Sequence, residues 1–153
     1  MILRFPAGLI VLLCVSGLTL GQSRGEWPCR AQIQSAEPGA HFVRLPDGAV
    51  KGMADKQVLP DISDLRGKEL DSIVAVEILI GLDGDVRCAR LAEGSSDLAE
   101  RSIEAASRWH YKKQVINGEP SMVDTQIRFR YTKDNVQVLP PDMKTMRVIE
   151  KQR

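Results

Sequence analysis

The fold of this chain is decided by residues 73–85, which read IVAVEILIGLDGD. Side chains alternate between the two faces of a β-strand, and four aliphatic residues fall on one face: Val74, Val76, Ile78 and Ile80. The other face is also largely apolar, with Glu77 as its charged exception. A strand that is apolar on both faces usually lies in the middle of a sheet. The stretch therefore predicts a central strand, Ile73–Leu82, followed by a tight hairpin at Asp83-Gly84.

The residues after the hairpin predict a second strand and a helix. Asp85–Ala92 should return antiparallel, and the phase of its apolar residues indicates a bulge near Arg87-Cys88. Asp97 followed by Glu100 has the spacing of a capping box, so a helix should run from about Leu98 to His110. Its apolar side recurs at helical spacing: Leu98, Ala99, Ile103, Ala106 and Trp109.

A third strand, Met122–Tyr131, alternates cleanly between apolar and polar residues. Together the elements predict an α+β fold of two layers, in which one main helix packs on a three-stranded antiparallel sheet of strand order 2-1-3. The predicted core consists of Val76, Ile78, Ile80, Ile103, Trp109, Ile127 and Phe129.

The N-terminus predicts export. Residues 1–21 carry Arg4 near the start and are otherwise almost entirely apolar, which is typical of a cleaved signal peptide. A retained inner-membrane anchor is one alternative, and a lipid-modified Cys14 is another. The rest of the chain divides into an N-terminal arm at residues 22–59, a folded domain at 60–131 and a tail at 132–153. Short strands are expected at His41–Leu45 and Gln57–Leu59, and a short helix at Asp61–Leu70.

Charge excludes two classes of partner. Cleavage after Gly21 removes Arg4 alone among charged residues, so Lys and Arg fall from 21 to 20, equal to the 20 Asp and Glu. A neutral chain without a basic stripe argues against nucleic acid and against an anionic membrane surface. Membrane association is expected only if residues 1–21 are retained.

Two cysteines remain after cleavage, Cys29 and Cys88. Outside the cytoplasm they could form a disulfide, which would stabilise the fold by roughly 4 kcal/mol. The alternative is that both remain free, because sequence does not show whether their backbones approach.

In its ordered motifs the chain resembles the C-terminal domain of TonB-type energy transducers. The matching features lie between about Pro60 and Tyr131, roughly half of the chain: the strand Val74–Ile80, the turn Asp83-Gly84-Asp85-Val86, Glu93-Gly94-Ser95, the Ala105–Trp109 helix end, Trp109-His110-Tyr111, Asn117-Gly118-Glu119-Pro120 and the last strand. The resemblance implies a periplasmic, non-enzymatic binding domain linked to transport across the cell envelope.

The same resemblance implies a docking edge. In that family the last strand pairs with an extended segment of an outer-membrane receptor, a mode called strand addition. Carried over, the edge is Val123–Tyr131, and the exposed residues that would select the partner are Asp124, Gln126, Arg128 and Arg130. The alternative is that these four side chains form an ordinary solvated face.

The tail offers a self-inhibition hypothesis. Its β-prone run Val136–Leu139 could add a strand or stay disordered. A tail that lies on the Val123–Tyr131 edge would block strand addition.

The chain departs from a full transducer at its N-terminal side. The apolar segment contains no His, and no Pro-rich spacer follows it. The expected protein is thus a binding module without the motor-coupling parts.

Catalytic chemistry is not predicted. His41 and His110 are isolated in the sequence, and no catalytic, phosphate-loop or metal-binding motif occurs. We therefore expect no enzymatic activity, no cofactor and no metal. A structural module of the same fold, which could form a homodimer through its edge strand, is the alternative function. A small secreted enzyme or inhibitor is a third hypothesis without supporting residues.

Overall fold

The computed structural model describes residues 27–140. Its helices and strands are, in chain order, α1 (Pro28–Ala36), β1 (His41–Arg44), β2 (Ala54–Lys56), β3 (Asp71–Ile80), β4 (Val86–Glu93), α2 (Ser96–Ser107), β5 (His110–Tyr111), β6 (Val115–Ile116), β7 (Glu119–Thr132) and β8 (Val136–Val138), with short 3₁₀ helices at Lys51–Met53 and Ser63–Leu65. The predictions for residues 1–21, including the signal peptide and Cys14, lie outside the described residues.

The main sheet is built around β3. This strand pairs antiparallel with β4 on one side and with β7 on the other, from Asp71 opposite Thr132 to Ile80 opposite Val123. The strand order is β1-β7-β3-β4, and β6 and β8 also pair with β7. The α+β class is confirmed, but the three-stranded antiparallel sheet is wrong. The sheet has six strands, because β1, β6 and β8 also pair with β7. It is mixed, because β1 pairs with β7 in parallel.

The second face of the sheet is also covered, so the two-layer prediction is wrong. α2 packs against β3 and β4 on one face. On the other face, Leu79 and Met122 form an apolar cluster with Trp27, which precedes α1, and with Ile33 of α1. β3 carries apolar side chains on both faces. Both faces must therefore be buried, because exposure of apolar side chains to water is unfavourable.

The helix α2 begins two residues before the predicted start and ends before Trp109. The Ser95 hydroxyl caps it by accepting a hydrogen bond from the Asp97 amide at 3.3 Å. Ser95, rather than Asp97, is thus the N-cap. Ser95 precedes the helix and supplies the acceptor for one of its free amides.

The first core cluster lies between α2 and the sheet. It contains the buried residues Val76, Ile78, Ile80, Trp109, Ile127 and Phe129, with Ile103 packed against them as a partly buried residue. The Trp109 ring meets Phe129 edge-on at 6.2 Å between centroids, and its Nε1 donates to the Val58 carbonyl at 2.8 Å. This hydrogen bond anchors the segment before the domain to the core.

Of the local predictions, one is confirmed and two are wrong. The bulge in β4 is confirmed: Leu79 pairs with Cys88 and Ile80 with Val86, which leaves Arg87 as the extra residue. The strand expected at Gln57–Leu59 lies instead at β2. The helix expected over Asp61–Leu70 is reduced to one 3₁₀ turn, because the Asp61 carboxylate accepts from the Ser63 amide and Gly67 takes a positive φ of 81°. Within residues 27–140, no helix is long and apolar enough to span a membrane.

Candidate strand-docking site

The outer edge of β7, away from β3, carries two segments of the chain itself. β1 pairs with it in parallel, from His41 opposite Ser121 to Arg44 opposite Asp124. The chain then turns, and the amides of Leu45 and Gly48 donate to the carbonyls of Asp124 and Gln126 at 2.9 and 3.0 Å. The edge is therefore filled from residue 121 to residue 126.

The remaining part of this edge is occupied by β8. Its three residues run antiparallel to β7, with Val138 opposite Phe129 and Val136 opposite Tyr131. The amide of Leu139 donates to the Arg128 carbonyl at 2.8 Å. Val136 is buried, while Gln137 between the two valines is exposed. An extended segment with alternating side chains thus already lies on the edge.

Lys51 fixes the end of β8. Its Nζ donates to the Val138 carbonyl at 2.8 Å, across 87 residues of sequence. Lys51 opens the 3₁₀ helix next to the turn that follows β1. The two segments on the β7 edge are therefore joined by a side chain as well as by β7 itself.

The four polar residues of the last strand do not line a free edge. They alternate along β7 on the face toward α1. Asp124 is fully buried, which contradicts its prediction as an exposed residue. It is covered because Arg30 of α1 and Arg44 of β1 bind its carboxylate at 2.5 and 3.3 Å. Gln126 and Arg128 are half-buried, and only Arg130 is exposed, where it pairs with Asp71 at 3.2 Å.

Asp124 belongs to a buried charge cluster with Glu77 of β3. The Glu77 carboxylate is 8% exposed and binds Arg44 at 2.8 Å and Arg90 at 2.6 Å. Burial raises the pKa of Glu77, but the hydrogen bonds from Arg44 and Arg90 outweigh burial, so the net shift is downward. Burial raises the pKa of Asp124, and Arg44 and Arg30 offset this rise only in part. The cluster holds α1 and β1 on the sheet and leaves Asp124 and Glu77 engaged within the fold.

A disulfide joins Cys29 at the start of α1 to Cys88 of β4, with Cα atoms 6.1 Å apart. That separation lies in the ordinary range for the bond. The link passes over the second apolar cluster, and it fixes α1 beside the Arg30–Asp124 ion pair. The N-terminal arm is thus a covalently attached part of the domain.

A small cavity lies beneath β8. Its volume is about 10 Å³, and its walls include Val138 of β8, the following Leu139, Tyr111 of β5 and Trp109. Tyr111 is fully buried, and burial raises its pKa.

The histidines make structural contacts. His110 Nδ1 lies 2.8 Å from the Asp85 carboxylate, and His41 Nδ1 lies 3.0 Å from the Ser121 hydroxyl. Among residues 27–140, no group of three or more His, Cys, Asp and Glu side chains is placed to hold a metal ion.

Three residues at this site were missed from the sequence. Lys51 has no local motif, because its partner is a backbone carbonyl far along the chain. Arg30 and Arg44 lie in segments with little periodicity. The signal that could have found their role is Glu77, a lone charge on an otherwise apolar strand, which when buried requires a cation.

Comparison with known proteins identifies the central part of the chain. Residues 60–132 match the family described as Gram-negative bacterial TonB protein C-terminal. No curated protein and no solved structure matches the chain at a significant level. The matched residues contain β3, β4, α2, β5, β6 and β7, whereas α1, β1, β2 and β8 lie outside them. Through residues 60–132 the chain belongs to the TonB C-terminal domain family, whose members are binding domains of envelope transport rather than enzymes.

Proposed function

We propose that this domain binds an extended segment of a partner protein by strand addition at the outer edge of β7, as part of transport across the cell envelope. The observation that carries the proposal is β8, which lies on that edge as an antiparallel strand of only three residues. An edge that accepts a strand of its own chain has the backbone geometry for a strand from another chain. Backbone hydrogen bonds would then supply affinity, and alternate side chains selectivity.

The proposed docking window is shorter than the sequence suggested. β1 and the turn after it pair with β7 as far as Gln126, and the Arg44 ion pairs stabilise this pairing. Displacement of β8 alone frees the edge from Arg128 to Thr132. Arg128 and Arg130 are the members of the predicted set that lie within this window, and they favour a segment that carries acidic side chains.

β8 acts in this proposal as an internal competitor. A partner can bind only to the fraction of molecules in which β8 has left the edge, so its apparent affinity is reduced by that fraction. Both segments on the β7 edge lie outside the family-matched residues 60–132. The two segments that cover the β7 edge therefore come from the sequence on either side of the family-matched residues.

The periplasm is the proposed location. The Cys29–Cys88 disulfide supports an oxidising compartment, and the family is one of Gram-negative bacteria. An outer-membrane receptor segment is the proposed partner. Anchoring in the inner membrane would depend on residues 1–21.

A truncation tests the proposal. The chain ending at Lys133 retains β7 and lacks β8, and circular dichroism checks that it folds. A synthetic peptide of residues 134–141 should bind this shorter chain at least tenfold more tightly than it binds the full chain. Equal affinity for the two chains would contradict the role of β8, and a failure to bind either would contradict strand addition at this edge.

A second candidate function rests on the opposite edge of the sheet. Within residues 27–140, no strand lies beyond β4, so this edge is open for pairing. A structural module would then dimerise through β4 without a transport role. Sedimentation equilibrium of the full chain over a hundredfold concentration range distinguishes the candidates: a dimer favours the structural module, and a monomer favours the partner-binding domain.

A further inference from the structure

Tyr111 has an unsatisfied hydroxyl in the core. Among buried side-chain nitrogen and oxygen atoms of residues 27–140, its Oη is the one without a hydrogen-bond partner. The other core tyrosine differs, because the Tyr131 hydroxyl lies 2.6 Å from the Ser102 hydroxyl. Buried polar groups in native proteins are nearly always paired, so an unpaired one beside a proposed binding edge calls for a partner.

The place for such a partner is the cavity beneath β8. Tyr111 lines it together with Val138 of β8, the following Leu139, Ile127 of β7 and Val50. The lining also includes Trp109 and three polar residues, Lys51, Gln126 and Arg128. The volume of about 10 Å³ is at the lower limit for one water molecule.

We propose that this cavity is the side-chain recognition site for the partner strand, and that it selects threonine at the position that Val138 now occupies. The inference rests on the proposed function, since it assigns the cavity to a strand that replaces β8. Threonine keeps the branched shape of valine and carries a hydroxyl in place of one of its two methyl groups. The Tyr111 hydroxyl can donate or accept, so each hydroxyl would satisfy the other.

The same argument specifies the second contact of the partner. Val136 is 4% exposed and packs in the core cluster, where a hydroxyl would lack a comparable partner. The preferred segment therefore has an aliphatic residue, then any residue, then threonine. The chain's own sequence has valine at both positions. Valine at position 138 leaves the Tyr111 hydroxyl without a partner. β8 therefore binds the edge more weakly than a strand with threonine at this position.

Three peptides tested on the full chain examine the proposal: NVQVLP, NVQTLP and NTQVLP. The first copies residues 135–140, the second places threonine at the Val138 position, and the third places it at the Val136 position. NVQTLP should bind about 2- to 10-fold more tightly than NVQVLP, the effect of one hydrogen bond. NTQVLP should bind more weakly than NVQVLP. In the Tyr111→Phe chain the advantage of NVQTLP should vanish.

Tyr111→Phe is a suitable control because it removes only an unpaired hydroxyl, and such a change leaves a protein about as stable or more so. Equal binding of NVQVLP and NVQTLP would overturn the recognition site and leave strand addition intact. An advantage of NVQTLP that persists in Tyr111→Phe would also overturn it. No binding of any peptide would overturn the proposed function itself, and with it the assignment of the cavity to a partner.

A measurement within the chain separates these outcomes further. Val138→Thr is introduced into the full chain with and without Tyr111→Phe, and the unfolding equilibrium constant is determined for all four proteins. If the cavity prefers threonine, Val138→Thr should be about 2- to 10-fold more favourable for the folding equilibrium constant in the Tyr111 chain than in the Tyr111→Phe chain. Equal effects in both backgrounds would overturn the hydroxyl pairing whether or not peptides bind.

Discussion

Lys51 Nζ donates a hydrogen bond of 2.8 Å to the carbonyl of Val138, and this contact ties the last described strand to the segment that follows β1. Lys51→Ala should therefore loosen β8 without affecting the core. Hydrogen exchange of the Leu139 amide, which is bonded to the Arg128 carbonyl, should become several-fold faster, as expected for the loss of a charged hydrogen bond. Lys113→Ala, at an exposed site, is the matched control and should change nothing. Unchanged exchange in Lys51→Ala would show that Lys51 does not hold β8.

Trp109 should be among the most sensitive positions of the core. Trp109→Ala removes a fully enclosed ring, its edge-on contact with Phe129 and its hydrogen bond to Val58. The free energy of unfolding should fall by about 3–5 kcal/mol, as measured by urea denaturation. Ile73→Ala, at an exposed site on β3, is the control and should cost less than about 1 kcal/mol. A Trp109→Ala chain as stable as the parent would contradict the core described here.

The disulfide should contribute a large share of the stability. Replacement of both Cys29 and Cys88 by alanine should lower the free energy of unfolding by about 4 kcal/mol, because the bond closes a loop across 59 residues. A reducing agent should lower the stability of the parent to the same level and leave the double variant unchanged. If the reducing agent has no effect on the parent, the bond is absent or contributes nothing.

Glu77 should make part of the stability dependent on pH. Its pKa is lower in the folded chain than its ordinary value of 4.5. The ionised carboxylate therefore stabilises the fold above 4.5, and this contribution is lost as the pH falls through the folded pKa. The pKa of Asp124 is raised, so protonation of Asp124 acts in the opposite direction.

The corresponding variant is Glu77→Gln. It should lose about 1.5–3 kcal/mol at neutral pH through its weakened hydrogen bonds to Arg44 and Arg90, and the difference from the parent should narrow as the pH falls below 4.5. Glu93→Gln, at an exposed site on β4, should match the parent throughout. A difference for Glu77→Gln that does not change with pH would show that ionisation of Glu77 is not the cause.

The sequence predicted what depends on local periodicity. The alternation along β3, the positive φ of Gly84 in the turn and the β4 bulge depend on neighbouring residues and need no knowledge of distant partners. The turn is longer than the predicted tight hairpin, because β3 ends at Ile80 and β4 begins at Val86. The spacing of the α2 apolar residues placed the helix to within three residues at each end. Trp109 falls on the same spacing, and the structure buries it although the helix ends before it.

Pairing between distant segments could not be predicted. β1 lies beside β7 across 80 residues of sequence, and a four-residue strand carries no signal for that partner. α1 has few apolar residues and no buried one, so its amphipathic pattern is weak. Asp124 was interpreted as solvated because alternation of polar and apolar residues along a strand normally indicates a solvent-exposed face of the sheet. One of its arginine partners, Arg30, comes from α1, which was not predicted, and the other, Arg44, comes from β1, whose pairing with β7 was not predicted.

The central claim is that the β7 edge accepts a partner strand in place of β8. The most direct test is an NMR titration of the isotope-labelled full chain with extended peptides from the N-termini of outer-membrane receptors. Strand addition predicts amide shifts confined to residues 128–138, with loss of the contacts between β8 and Phe129–Tyr131. Shifts along β4, or clean spectra with no shifts at millimolar peptide, would contradict it.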